Sequence, residues 1–322
     1  MSNPELPIID LEGLRPKVAS ALRMACERDG FFYVRNHGVS ESLQGELESQ
    51  ARTFFARPLE EKMGMAMEHG GRAWRGYFPV GGELTSGVPD SKEGIYFGAE
   101  LGATDPRVQA GLPLHGPNLF PALDGFREAV LSYMAAMTKL GHRLMAGMAE
   151  SLDLAPGDVS ESLLREPLTL FRIFNYPAER AETPRWGVGE HTDYGLLTIL
   201  KQSDESGLQV RTAHGWIDAP PLPGTFLCNI GDMLERMTYG RYRSTPHRVK
   251  NTSTRDRLSL PFFFDPSFDA EVRPLVPRAS VEEPPRWDGR SVFDFRGTYG
   301  EYLLEKVSKV FPHLATRQLG GR

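Results

Sequence analysis

The sequence predicts a mainly β protein with flanking helices, its β body an antiparallel sandwich or barrel. Three observations carry that reading. After Pro167, short apolar or alternating runs (LTLFRIFNY, LLTILKQ, LQVRT, WIDAP, FLCNIG, HRVKN and RLSLPFFFD) follow one another with Gly, Pro and Asn between them, the pattern of strands joined by tight turns. Thirty-three Gly and 25 Pro supply those turns without reaching the level of a disordered chain. Ahead of that stretch, Leu123 to Leu152 carries Phe126, Val130, Met134, Met137, Leu140, Leu144 and Met148 as one continuous stripe. This is a long amphipathic helix whose methionines read as core filler.

The remaining elements follow in order. Leu6 to Leu11 reads as a short strand, and Pro16 to Arg28 as a helix with Val18, Leu22, Ala25 and Cys26 at helical spacing, ended by Gly30. Phe31 to Arg35 is an aromatic and β-branched strand. Glu41 to Phe55 places Leu43, Leu47, Ala51 and Phe54 on one helical face and is closed by Pro58. Residues 69–122, rich in Gly and Pro and without sustained periodicity, read as a long loop that is either functional or hides elements the pattern does not reveal. A last helix is expected from Thr298 to Val310. No repeat or linker-like run divides residues 1–322, so one unit is expected. Residues 1–122 would form its helix-and-strand N-terminal part with the substrate loop, and residues 123–322 the long helix and β core.

Composition removes several function classes. A chain of 35.9 kDa with 40% hydrophobic residues buries a core of its own and needs no disulfide or structural metal to fold. A net charge of −5, from 37 Lys+Arg against 42 Asp+Glu, gives no general electrostatic reason to bind nucleic acid or an anionic membrane. The N-terminus has no basic and apolar leader pattern, and no stretch approaches 18 apolar residues, so a soluble cytoplasmic protein is expected. Cys26 and Cys228 form no C-x-x-C and read as two reduced, buried thiols. The common nucleotide-binding, zincin and serine-hydrolase signatures are missing.

What remains is a histidine and carboxylate pattern in the β half. Of the eight histidines, only His191 has an acid two positions on, Asp193, in GEHTDYGLLTIL. On a strand, residues i and i+2 point to the same face, so the pair can converge on one ion while Thr192 faces away. His247, in RSTPHRVKN, is the leading third ligand. Two imidazoles and one carboxylate leave open positions on Fe(II) for a cosubstrate and dioxygen; a zinc hydrolase would use the same three with a bound water. Arg257 and Ser259, ten and twelve residues beyond His247, share one strand face, and a guanidinium beside a hydroxyl is a ready site for a carboxylate. Arg-x-Ser recurs at Arg278 and Ser280, so order and distance after His247 decide. The other histidines, His37, His69, His115, His142, His214 and His313, read as hydrogen-bonded core or surface residues.

HTD at 191–193, His247 within STPHRV, and RLS at 257–259 resemble the Fe(II)- and 2-oxoglutarate-dependent oxygenases of the isopenicillin N synthase-like family. PIIDL, GFFYVRNHGV, FRIFNYP, GLQV with GWIDAPP, and NIGDMLERMTYGRYRSTPHRV extend the resemblance over nearly the whole chain. It implies a double-stranded β-helix (jelly-roll) core, iron held by His191, Asp193 and His247, and the distal carboxylate of 2-oxoglutarate held by Arg257, Ser259 and Tyr176, with a sheet aromatic capped by Pro177 as the other reading of Tyr176. Arg172 shares the strand face of Tyr176 and reads either as a second carboxylate contact or as a surface salt bridge. GYFPVGGELTSGVPD is similar to the bacterial branch that includes the ethylene-forming enzyme. That likeness puts Glu83, Thr85 and Tyr194 beside the substrate, with a solvated loop carboxylate as the other reading of Glu83. Tyr176 stands where that enzyme has a phenylalanine, and its C-terminal substrate arginine is matched at best by Lys309, which argues against ethylene formation. The implied activity is oxidation, most often hydroxylation, of a small molecule with dioxygen as cosubstrate and release of succinate and CO2. Residues 69–100, with Trp74, Tyr77 and Tyr96, are the expected lid over that substrate. An iron oxidase that dispenses with 2-oxoglutarate and a non-catalytic jelly-roll binding protein are the alternatives.

Overall fold

The computed structural model describes residues 5–178, 186–250, 253–277, 287–289, 291 and 293–312. The N-terminal part runs β1 (Ile8–Asp10), α1 (Arg15–Arg28), β2 (Phe31–Arg35), α2 (Glu41–Phe55), α3 (Leu59–Met63), a 3₁₀ turn (Met67–Ala73), β3 (Gly76–Phe78), β4 (Leu84–Thr85), β5 (Val88–Pro89), β6 (Glu93–Gly98) and α4 (Pro106–Gln109). The rest runs α5 (Phe126–Ser151), α6 (Pro156–Ser162), β7 (Pro167–Tyr176), β8 (Val188–His191), β9 (Leu197–Gln202), β10 (Leu208–Thr212), β11 (Gly215–Asp218), β12 (Thr225–Ile230), α7 (Asp232–Met237), β13 (His247–Val249), β14 (Arg257–Ser267) and α8 (Tyr299–Val310).

The larger sheet has the order β1-β2-β12-β9-β14-β7-β6-β3 and is parallel only between β1 and β2. The smaller, β11-β10-β13-β8, is antiparallel, and β4 with β5 forms a separate hairpin. The mainly β, jelly-roll expectation therefore holds. The two sheets face one another because their strands alternate. On β14, Leu258, Leu260, Phe262 and Phe264 are buried in the core, while Ser259, Pro261, Phe263 and Asp265 face a cavity between the sheets. On β7, Phe171 packs against Tyr133 of α5, whereas Leu170, Arg172, Phe174 and Tyr176 line the same cavity. Helix α5 buries its whole predicted stripe. It approaches β14 closely at Gly141, where a Cβ would come within 2.5 Å of the Phe264 ring.

Helix α2 is started by Ser40, whose hydroxyl accepts the Leu43 N–H. Helix α8 is started by a capping box of Thr298 and Glu301. The long loop expected over residues 69–122 is corrected: β3 and β6 within it are fully buried strands of the larger sheet. No helix among the described residues is long and apolar enough to cross a membrane. His313 and the Arg278/Ser280 pair lie outside the described residues.

Candidate active site

β8 ends at His191 and β13 begins at His247, and the two residues lie opposite each other in the antiparallel ladder. That register brings their ring centroids to 4.2 Å. Asp193 sits beyond the strand, on a turn where its backbone carbonyl accepts the Asp232 N–H at 2.7 Å. Its Oδ1 stands 3.9 Å from His191 Nε2 and 3.8 Å from His247 Nε2. The convergence expected from strand alternation is thus produced by a turn instead. Nδ1 of His191 lies 2.8 Å from the Gly189 carbonyl and Nδ1 of His247 lies 3.3 Å from that of Thr245, so each ring gives its proton to a carbonyl and keeps the Nε2 lone pair for the centre. Asp193 Oδ2 accepts from Thr198 Oγ1 at 2.5 Å and from Asn229 Nδ2 at 2.7 Å. Burial would raise the Asp193 carboxyl, but the His247 and His191 rings and these two donors hold it below its ordinary value. Burial pushes His247 down to about 4, with His191 adding to the effect and Asp193 opposing it. An ionised carboxylate beside a neutral imidazole is the state that metal binding requires. Two nitrogens and one oxygen, their ligand atoms within 4.8 Å of one another, fit Fe(II) with coordination positions left open.

Arg257 is fully buried, and Tyr176 pairs opposite it on β7. Its Nε donates to the Glu205 carbonyl at 3.1 Å and its Nη2 to Gln202 Oε1 at 3.2 Å. Nη1 is buried with no hydrogen-bond partner among the described residues. The Tyr176 ring lies 5.1 Å from the guanidinium carbon. Burial disfavours the Arg257 charge and Tyr176 works against that shift. An orphaned guanidinium donor in the row that continues to the cavity-lining Ser259 fits a ligand carboxylate.

The cavity encloses about 610 Å³, and one of its walls is charged. Glu83 is only 5% exposed, with Oε2 2.8 Å from Lys92 Nζ, Oε1 3.7 Å from Arg172 Nη1, and the Tyr96 hydroxyl donating to Oε1 at 2.5 Å. Lys92 also pairs with Asp90, which accepts the Thr85 hydroxyl at 2.9 Å. Burial would raise Glu83 and lower Lys92; their opposite charges outweigh it, so Glu83 lies below and Lys92 above the ordinary value. The Arg172 guanidinium stacks between the rings of Tyr96 and Phe263 at 4.1 and 4.7 Å. Tyr194 lines the cavity just after the His191–Asp193 turn, its phenol pushed up to about 12 by burial, with Lys306 of α8 5.6 Å from its ring.

Residues 6–123 match the family described as non-haem dioxygenase in morphine synthesis N-terminal, and residues 167–266 match the 2OG-Fe(II) oxygenase superfamily. A probable iron/ascorbate oxidoreductase of Dictyostelium discoideum is 46% identical across 98% of this chain and 97% of its own length. The chain belongs to the 2OG-Fe(II) oxygenase superfamily. A homoarginine-6-hydroxylase of Arabidopsis thaliana is 36% identical across 95% of the oxygenase and 97% of its own length. The crystal structure of a full-length Neurospora crassa protein in complex with alpha-KG and 5-formyluracil is 25% identical and superposes with a TM-score of 0.77, covering 94% of this chain and 96% of that one. The oxygenase is a 2-oxoglutarate-dependent non-haem iron dioxygenase that uses Fe(II), 2-oxoglutarate and dioxygen.

The oxygenase brings His191, Asp193 and His247 to one point and sets Arg172, Tyr176, Ser259, Glu83, Thr85 and Tyr194 around the same cavity. Trp74 and Tyr77 are corrections, because both are buried in the core away from the cavity lining. Trp74 packs edge-on to Phe311 at 6.0 Å, and Tyr77 donates to Glu93 Oε2 at 2.6 Å. The lid expected over residues 69–100 narrows accordingly: residues 83–87, around the β4–β5 hairpin, and Lys92 reach the cavity, while Tyr77 and Tyr96 are sheet residues. Glu83 is a buried, paired carboxylate and not a solvated one. Lys309 pairs with Glu305 at 2.7 Å at the outer rim, its side chain 61% exposed. Sequence reasoning missed Thr198, Asn229, Lys92 and Lys306. Asn229, the single polar residue in the apolar run FLCNI, carried a readable signal; Lys92 and Lys306 looked like ordinary surface lysines.

Proposed function

We propose that the oxygenase hydroxylates a small zwitterionic metabolite, a free amino acid or a close analogue. In this reading His191, Asp193 and His247 hold Fe(II). Arg257, Ser259 and Tyr176 hold the distal carboxylate of 2-oxoglutarate, and Arg172, Glu83, Thr85 and Tyr194 face the substrate. Residues 1–322 act as one catalytic unit, within the isopenicillin N synthase-like group and beside its bacterial branch, on the strength of the GYFPVGGELTSGVPD segment. Two free, buried cysteines support a cytoplasmic setting.

The charge balance of the cavity wall carries the substrate class. Glu83, Lys92 and Arg172 line the cavity and Asp90 pairs with Lys92 from behind that lining, so the network holds two charges of each sign. A ligand of one sign would leave a buried charge uncompensated, whereas a ligand with an ammonium and a carboxylate matches both. The Arabidopsis relative, named for its action on homoarginine, supports the same class.

When bound, Fe(II) with 2-oxoglutarate and dioxygen supplies the oxidising chemistry, the cosubstrate leaving as succinate and CO2. The chain's own part is positional. Gly189 and Thr245 fix the two imidazoles, and Thr198 and Asn229 fix the carboxylate between them. Leu170, Phe174, Leu200 and Phe263 supply apolar walls that exclude water from the reacting face. The test is a screen of amino acids, neutral heterocycles and hydrophobic acids for succinate release that requires both Fe(II) and dioxygen. Stimulation by amino acids is expected, and stimulation confined to neutral or purely anionic compounds overturns the substrate class.

A further inference from the structure

Asp265 lies on the cavity-facing row of β14, six residues beyond Ser259, and is 3% exposed. Neither the metal site nor the carboxylate anchor uses it. Its two oxygens serve two different elements. Oδ1 accepts the Leu196 N–H at 3.0 Å, and Oδ2 accepts the Tyr299 hydroxyl at 2.6 Å. Leu196 closes the turn that carries Asp193; Tyr299 opens α8, whose Leu303, Lys306, Val307 and Val310 line the cavity.

That turn is held from one side by backbone. Asp232 N–H donates to the Asp193 carbonyl at 2.7 Å, Met233 N–H to the Gly195 carbonyl at 3.1 Å, and Gly231 N–H to the Leu196 carbonyl at 3.1 Å. On the other side stands the Asp265 carboxylate, packed so tightly that a Cβ on Gly195 would overlap it. The turn is therefore clamped between the start of α7 and one buried side chain. A displacement of Leu196 would be transmitted through the short stretch of backbone to the Asp193 side chain, whose two imidazole partners are fixed on strands.

We propose that Asp265 is a positioning residue that sets the Asp193 carboxylate through the Leu196 amide and ties this turn to the cavity-covering helix α8 through Tyr299. The inference rests on the assignment of Asp193 as an iron ligand. Its chemistry requires an acceptor toward Leu196 and a polar partner toward Tyr299. Asparagine can provide both, since its amide oxygen accepts the N–H and its NH2 donates to the phenol oxygen; leucine provides neither.

The test uses the full chain without oxygen, with Co(II) as the probe. Metal affinity is read by titration, turn geometry by the visible ligand-field spectrum, and folding by thermal melting. Asp265→Leu is expected to weaken Co(II) binding about 10- to 100-fold and to change the spectrum, while Asp265→Asn stays within about threefold of the parent, as for other residues that orient metal ligands. Tyr299→Phe is expected to keep the parent metal affinity and spectrum and to raise the KM for the stimulating substrate. Gly195→Ala, which forces the turn off the carboxylate, provides the same metal readout if Asp265→Leu does not fold. Parent affinity and spectrum in a folded Asp265→Leu, or failing that in Gly195→Ala, overturn the proposal. Asp193→Ala separates the two levels. Metal binding that survives it sinks the iron-ligand assignment, whereas metal binding lost in Asp193→Ala but intact in Asp265→Leu sinks the positioning role alone.

Discussion

Replacing Arg257 by lysine isolates what the guanidinium does. The arginine spends Nε on the Glu205 carbonyl and Nη2 on Gln202, and holds Nη1 in reserve beside the Ser259 row. A lysine keeps the charge but offers one compact ammonium in place of a planar fork, so it cannot serve Glu205, Gln202 and a ligand carboxylate together. Losing one hydrogen bond to a charged partner costs about 1.5–3 kcal/mol. At about 1.4 kcal/mol per tenfold, Arg257→Lys should weaken 2-oxoglutarate binding roughly 10- to 150-fold. Metal affinity should not follow, because the three side chains proposed to hold the metal sit on β8, the turn after it and β13, whereas Arg257 begins β14. The assay is calorimetric titration of 2-oxoglutarate into Mn(II)-loaded protein without oxygen, with a melting curve to certify the fold. A folded variant that binds 2-oxoglutarate within about twofold of the parent, or one that loses metal to the same degree, refutes the carboxylate-anchor reasoning.

Asn229→Ala removes a donor at 2.7 Å from Asp193 Oδ2 and should lower metal affinity about tenfold, measured by competition with a chromogenic chelator; an unchanged affinity means Thr198 alone suffices. Glu83→Gln leaves Lys92 and Arg172 short of one counter-charge. Because Asp90 still pairs with Lys92, the loss in denaturant unfolding should fall at the lower end of the roughly 3–5 kcal/mol typical of a broken buried pair, and substrate KM should rise while metal affinity holds. Cys26 and Cys228 are both fully buried, and burial raises both thiols. A colorimetric thiol reagent at neutral pH should therefore find neither in the native protein and both after denaturation; rapid labelling of either one contradicts the packing.

How much of the fold was readable depended on whether burial was one-sided. β2 and α2 match the predicted Phe31–Arg35 and Glu41–Phe55 spans, and the α5 stripe is buried at every predicted position, because apolar period and breakers agreed there. β3 and β6 escaped notice for the opposite reason. They are buried on both faces and leave no alternation, and β6 begins with Glu93, which pattern reading places at the surface. Glu93 is buried because Lys62, Tyr77 and Asn175 converge on it at 2.6, 2.6 and 3.0 Å, partners that lie 31, 16 and 82 residues away. Tyr77 was therefore assigned to a lid when it belongs to a buried polar network.

The same distinction explains which parts of the site were legible. The His191–Asp193 pair is local, and its spacing alone is weak; His247 and Arg257 became readable through their order along the chain and through the resemblance of HTD, STPHRV and RLS to the oxygenase family. The wall is different in kind. Read singly, Glu83 and Arg172 are open between a ligand contact and a surface charge, Asp90 and Lys92 look like surface charges, and each is a costly residue to bury alone. Together they neutralise one another, and Tyr96 and Phe263 cover both faces of the Arg172 guanidinium. The β6–β7 pairing sets Tyr96 opposite Arg172, and the β4–β5 hairpin, closed by the Asp90 N–H on the Glu83 carbonyl, brings the acids to them. A wall built this way depends on strand register: a one-residue slip between β6 and β7 would keep every motif in the sequence and take Tyr96 off the face of the Arg172 guanidinium.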